Sequence, residues 1–175
     1  MKTPIPWEKS YAAHYILSVP AENIVESLKG HFQHIQSAFE HIPEKKSDFH
    51  YAEGKWTVRQ VMGHVVDSQI IFAYRALCFS RGETQPLPGF EEKDYAVHWS
   101  RRDIPLTDVA RNYRLQSHST LAQAESLNAQ ELNAPGVANN IGLSALQVYR
   151  ALIGHERHHL QVLRENYGIV PAAKN

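Results

Sequence analysis

The chain has 175 residues, with 18 Lys and Arg set against 18 Asp and Glu and 11 histidines. That length suits one domain, spanning residues 1–175, with a substantial core. A neutral chain with no basic block gives no electrostatic reason to expect a nucleic acid or an anionic membrane as partner. Cys78 is the single cysteine, which excludes an intramolecular disulfide and a cysteine-based zinc knuckle. Its place in an apolar helical run reads as that of a small core residue. The N-terminus lacks the apolar segment of a signal peptide, and no apolar run approaches membrane-spanning length. The expectation is a cytoplasmic protein whose partner is a small-molecule substrate.

Residues 1–20 contain Pro4, Pro6 and Pro20 with Trp7, Tyr11 and Tyr15, and read as an irregular arm packed on the body. A first helix is predicted over about residues 21–42, where Ile24, Leu28, Phe32, Ile35, Phe39 and Ile42 follow a helical period. Pro43 and the polar stretch behind it end that helix. A second helix is predicted over about residues 57–81, opened by the capping-box pair Thr57 and Gln60 and stopped near Gly82. Residues 82–105 show no period, carry Pro86, Pro88, Gly89 and Pro105, and read as a long crossover loop.

A third helix is predicted over about residues 107–127, and Pro135-Gly136 marks a turn. A fourth covers about residues 144–166, with Ser144 and Gln147 as a second capping-box pair and Gly168 as its stop. No β-alternation of useful length is present. The fold class is therefore all-α, a four-helix bundle. The long loop between the second and third helices can span a helix length of roughly 30 Å. That lets those two helices run parallel, in the order up-down-down-up.

On the fourth helix, Val148, Leu152, His155, His159 and Val162 form one stripe, so two histidines interrupt an apolar face. Residues four apart project from the same side about one turn apart, and two such imidazoles can bind one metal ion. On the second helix, His64 shares a stripe with Val61, Ser68, Ile71 and Arg75. Three neutral imidazoles with open coordination positions describe a catalytic rather than a closed structural metal site. The alternative is that each histidine hydrogen-bonds a backbone carbonyl or a neighbouring helix.

His31, between Leu28 and Ile35, is an outside candidate for the same site. His158 points away from the pair and reads as a rim group, and Glu156 as a solvated side chain. Arg75 is a candidate to bind an anionic group of a substrate, although an ion pair with Glu91, Glu92 or Asp94 is the preferred reading. No residue stands out as a general base.

Four segments together resemble the DinB-like superfamily, including its YfiT-like metal-dependent hydrolases. They are Gly54-Lys55-Trp56-Thr57-Val58-Arg59-Gln60-Val61-Met62-Gly63-His64-Val65-Val66-Asp67, Phe72-Ala73-Tyr74-Arg75-Ala76-Leu77, Pro86-Leu87-Pro88-Gly89-Phe90-Glu91-Glu92-Lys93-Asp94-Tyr95 and Ile153-Gly154-His155-Glu156-Arg157-His158-His159-Leu160. The resemblance covers roughly residues 20–168. It implies a four-helix bundle in the up-down-down-up order and a metal held by His64, His155 and His159. The ion it implies is zinc or nickel, with water completing the coordination.

The activity so implied is that of a metal-dependent hydrolase, or of a transferase or isomerase using a low-molecular-weight thiol such as bacillithiol or mycothiol. A non-catalytic metal-binding or stress-related bundle is the alternative. A homodimer is a further expectation, because Tyr74, Phe79, Trp99 and Tyr149 need not all fit one core.

Overall fold

The computed structural model describes residues 3–100 and 103–169. Its elements in chain order are β1 (Ile5–Pro6), α1 (Ala13–Leu17), α2 (Ile24–Glu40), α3 (Val58–Ser80), α4 (Glu92–Ser100), α5 (Leu106–Glu125), α6 (Ala129–Leu132), β2 (Pro135–Ala138), β3 (Ile141–Ser144) and α7 (Ala145–Glu165). The four long helices, α2, α3, α5 and α7, fall within a few residues of the sequence expectation.

Local chemistry explains where these helices start. The first N–H groups of a helix lack intrahelical acceptors. Both capping boxes form: Thr57 and Gln60 close the start of α3, and Ser144 and Gln147 close the start of α7. Asn23 caps α2 through its side chain, in the left-handed region at φ 51°. At α5, Pro105 stands in the cap position and the Leu106 N–H donates to Glu44 Oε2 at 2.7 Å, so the preceding connection supplies the acceptor.

The core lies between the long helices. Leu28, Phe32, Ile35 and Phe39 of α2 share one hydrophobic cluster with Val109 and Tyr113 of α5, Val61, Met62 and Val65 of α3, and Leu152, Leu160 and Leu163 of α7. Burying a side chain of this size contributes about 1.5–3 kcal/mol each. Polar ties fix the register. Gln69 donates to Ser117 Oγ at 3.0 Å, and Gln123 donates to the Ala73 carbonyl at 3.0 Å. Tyr167, just past α7, donates to the carbonyl of Trp56, just before α3, at 2.6 Å.

Several expectations need correction. The chain is mostly helical but not all-α: β1, β3 and β2 form a three-stranded sheet, β1 parallel and β2 antiparallel to β3. The hairpin turns at Asn139 and Asn140, both at positive φ (49° and 61°), the backbone a tight two-residue turn requires. Strands of two to four residues are too short to print an alternating pattern. The arm at residues 1–20 is not irregular throughout, since it carries β1 and α1. The 82–105 connection holds a helix, α4.

Of the four aromatics that need not all fit one core, Phe79 and Tyr149 are core residues with no exposed surface. Phe79 lies against Gly136, where a Cβ would overlap its ring. Trp99 is half-buried and donates to Asp67 Oδ2 at 2.7 Å, and Tyr74 is exposed. Cys78 is half-buried at the edge of the core rather than inside it.

Two glycines in helices provide a test of how α1 is seated. A Cβ at Gly154 would run into the backbone of Tyr15, which cannot yield as a side-chain tip can. Gly30 on α2 is exposed, with nothing within 4 Å of such a Cβ. Gly154→Ala is expected to destabilise by about 1–3 kcal/mol. Gly30→Ala should stabilise by about 0.5–1 kcal/mol. Urea unfolding compares them, and a Gly154→Ala midpoint equal to wild type would contradict this packing.

Candidate metal centre

His155 and His159 lie one turn apart on α7, and α3 brings His64 to face them. His64 Nε2 is 3.1 Å from His155 Nε2, and His159 Nε2 is also 3.1 Å from His155 Nε2. Each of the three offers a ring nitrogen within 4.8 Å of the others. The structure thus brings together all three histidines singled out from the sequence.

Hydrogen bonding alone serves this arrangement poorly. A neutral imidazole has one donor and one acceptor nitrogen. The His64 and His155 Nδ1 atoms are buried with no hydrogen-bond partner among the described residues, so neither tautomer satisfies both rings. A cation at the convergence point would take three Nε2 lone pairs at once. The donor set therefore fits a divalent transition metal. Histidine ligands usually donate their second N–H to an acceptor, and for His64 and His155 the described residues supply none.

Burial sets the protonation state. It pushes His64 down to about 4 and His155 down to about 3, with neighbouring histidines adding to the second shift. His159 is held well below the usual imidazole range, first by burial and then by His155, His64 and His158. All three are neutral near pH 7, the form in which imidazole binds a metal.

The triad forms one wall of a cavity of about 280 Å³. Aromatic rings enclose it: Trp56 lies against His64 (centroids 4.9 Å apart), and Phe72 and Tyr15 against His155 (5.7 Å each). Ser68 Oγ is 3.4 Å from His64 Nε2. His158 is exposed at the rim, as expected. Arg75 also lines the cavity and is buried. The expected ion pair to Glu91, Glu92 or Asp94 is not made. Those carboxylates are exposed, and the connection turns so that the Pro88 carbonyl accepts from Arg75 Nη2 at 2.9 Å.

Glu156 and His31 also depart from expectation. Glu156 is fully buried, not solvated. Its Oε2 accepts from Tyr113 OH at 2.7 Å and lies 2.8 Å from His31 Nε2. His31 is therefore turned into the core towards Glu156 and is not part of the triad. The signal was present in the sequence: Tyr149, Ile153, Glu156, Leu160 and Leu163 form a second stripe at spacings of three and four, every member buried. Burial and the Glu156 carboxylate hold the Tyr113 hydroxyl well above the usual phenol range.

Comparison with known proteins agrees with this architecture. The family model described as the DinB superfamily matches residues 27–163. A candidate metal-dependent hydrolase of Oceanobacillus iheyensis is 22% identical over 152 residues, covering 82% of this chain and 87% of that protein. Among solved structures, YfiT from Bacillus subtilis superposes with a TM-score of 0.69 at 20% identity, covering 85% of this chain and 87% of that one. It is described as a probable metal-dependent hydrolase with an unusual four-helix bundle topology. The mycothiol-dependent maleylpyruvate isomerase superposes with a TM-score of 0.68 at 12% identity, covering 89% of this chain and 66% of that one.

The buried imidazoles make metal-free protein sensitive to acid. Their folded-state pKa values lie below the unfolded value of roughly 6.5. Between there and the folded value of about 4 for His64, the unfolded chain binds protons that the folded chain does not. Their contribution is complete above the unfolded pKa and is lost as pH falls through this window. Urea titrations in chelator at pH 7 and pH 4.5 should show wild type losing more stability than His64→Phe. An equal loss in both proteins would contradict the burial of His64.

Proposed function

This chain belongs to the DinB superfamily, and on that premise we propose that it is a metal-dependent enzyme acting on a small molecule. His64, His155 and His159 hold one divalent ion, zinc or nickel. The observation that carries this reading is the convergence of three neutral imidazole nitrogens on the wall of an enclosed, aromatic-lined cavity. When bound, such an ion supplies Lewis acidity and lowers the pKa of a bound water or thiol. The chain's own residues then divide the remaining work. Trp56, Phe72 and Tyr15 limit water at the triad, and the cavity orients the substrate against it.

We read the reaction as hydrolysis or as transfer to a low-molecular-weight thiol. Hydrolysis is supported by the names given to the Oceanobacillus and Bacillus relatives, which this chain matches along most of their length. The thiol reading is supported by the likeness to the mycothiol-dependent isomerase, of which this chain spans 66%. We also read the long helices in the order up-down-down-up. Support comes from the polar ties between α3 and α5, which rise together in sequence, Gln69 with Ser117 and Ala73 with Gln123. The tie from Tyr167 back to Trp56 supports α7 running opposite to α3. A crystal structure with α3 and α5 antiparallel would contradict that order. The proposed place of action is the cytoplasm, which fractionation of expressing cells tests; among the described residues no helix is long and apolar enough to cross a membrane.

Elemental analysis of untagged protein should find about one zinc or nickel per chain. His159→Ala should lose most of that metal and any turnover of an ester, amide and thiol-conjugation panel, while keeping its circular dichroism. His158→Ala, on the exposed rim, should keep both. Metal loss in His158→Ala with retention in His159→Ala would overturn the assignment. Full metal occupancy without turnover of any substrate would favour a non-catalytic bundle.

A further inference from the structure

The cavity has a second polar pole. Arg75 lies about three turns beyond His64 on α3, on the same side of the helix, with Ser68 and Phe72 between them, and all four line the cavity. Arg75 as a residue is 7% exposed. Arginine stays charged in proteins and carries five N–H donors. A buried charge is costly unless paired.

The arginines elsewhere show what pairing looks like in this fold. Arg59, equally buried, lies 3.4 Å from Asp48 and 3.8 Å from Asp103 and donates to the Ile104 carbonyl. Arg81 meets Glu131. Arg75 donates to the Pro88 carbonyl, and among the described residues no carboxylate lies within 4 Å of it. A carbonyl dipole does not neutralise a full charge. The one carboxylate on the cavity wall, Glu92, is exposed to solvent, which screens it.

We propose that Arg75 is an anion-binding subsite and that the cavity takes a small organic carboxylate. The carboxylate pairs with Arg75, and the apolar body of the molecule lies along Phe72, Phe90 and Leu143, with its far end at the three histidines. One fixed cation beside the apolar side chains of Phe72, Phe90 and Leu143 matches a single negative charge, and the planar guanidinium matches a carboxylate with two parallel hydrogen bonds. At this pole of the cavity Arg75 is the one fixed cation, so a singly charged carboxylate matches it and a doubly charged phosphate monoester does not. This assignment rests on the proposed function only for what happens at the histidine end. The subsite itself does not need a metal.

The test is calorimetric titration with 4-phenylbutyrate and its neutral amide, first on metal-free protein and then on protein loaded with zinc. Metal-free wild type should bind the acid at least about tenfold more tightly than the amide. Arg75→Gln should abolish the preference and keep wild-type zinc content, and Arg75→Lys should keep part of the preference.

An acid that binds metal-free wild type no better than the amide, or not at all, overturns the proposal, and this arm needs no variant to fold. A preference that survives Arg75→Gln overturns it too; if that preference appears only with zinc, the anion sits on the metal. If zinc fails to bind while the preference follows Arg75, the subsite stands and the metal reading falls.

Discussion

Helix α7 is packed on several sides, so each polar group it carries inward must find a partner without water. An unsatisfied buried polar group costs about 1–3 kcal/mol, and α7 turns three polar side chains inward within five residues, the half-buried His155 and His159 and the fully buried Glu156. Two faces of the helix meet this demand differently. Towards the core, Glu156 is met by Tyr113 from α5 and His31 from α2. Towards the cavity, the two imidazoles meet His64 of α3. The first set is answered at Oε2, while Glu156 Oε1 has no hydrogen-bond partner among the described residues. The second set leaves buried Nδ1 atoms on His64 and His155 without partners among the described residues, with one ring nitrogen of each histidine within 4.8 Å of the others.

These two clusters are mechanically linked. Glu156 follows His155 directly, so the bonds that fix its carboxylate against α2 and α5 also fix the rotation of α7 about its axis. That rotation decides whether the histidine pair faces α3. Close packing at Gly154 adds a second restraint, because it lets the backbone of α1 lie against α7 beside the pair. Tyr15 of α1 then supplies one of the rings enclosing the triad. Polar networks of this kind rigidify when satisfied and are costly when broken. The site is thus held by three neighbouring helices as well as by the helix that carries it.

Much of this was legible in the sequence because the relevant signals are local and periodic. The apolar spacing of Leu28, Phe32, Ile35 and Phe39 and the two capping boxes placed the long helices. The interruption of the Val148, Leu152, Val162 stripe by His155 and His159 exposed the candidate site. The failures have physical reasons. Glu156 was read as solvated because a charged residue beside an inward pair is ordinarily outside, yet α7 buries a second stripe. The hairpin at Asn139-Asn140 joins strands too short to alternate. Helix α4 has a weak period, and its docking on α3, with Trp99 covering Gly63, is tertiary. The partner of Arg75 could not be read at all, since it is a backbone carbonyl on a connection whose path no local pattern dictates.

The most direct test of the account is X-ray absorption at the zinc edge on zinc-loaded protein. Three imidazole ligands and an open face predict nitrogen scatterers at about 2.0–2.1 Å with the outer-shell signature of three histidines, completed by oxygen from water. His64→Ala should lower the histidine contribution by one or release the metal. A sulfur shell at about 2.3 Å, or a spectrum unchanged by His64→Ala, would contradict it.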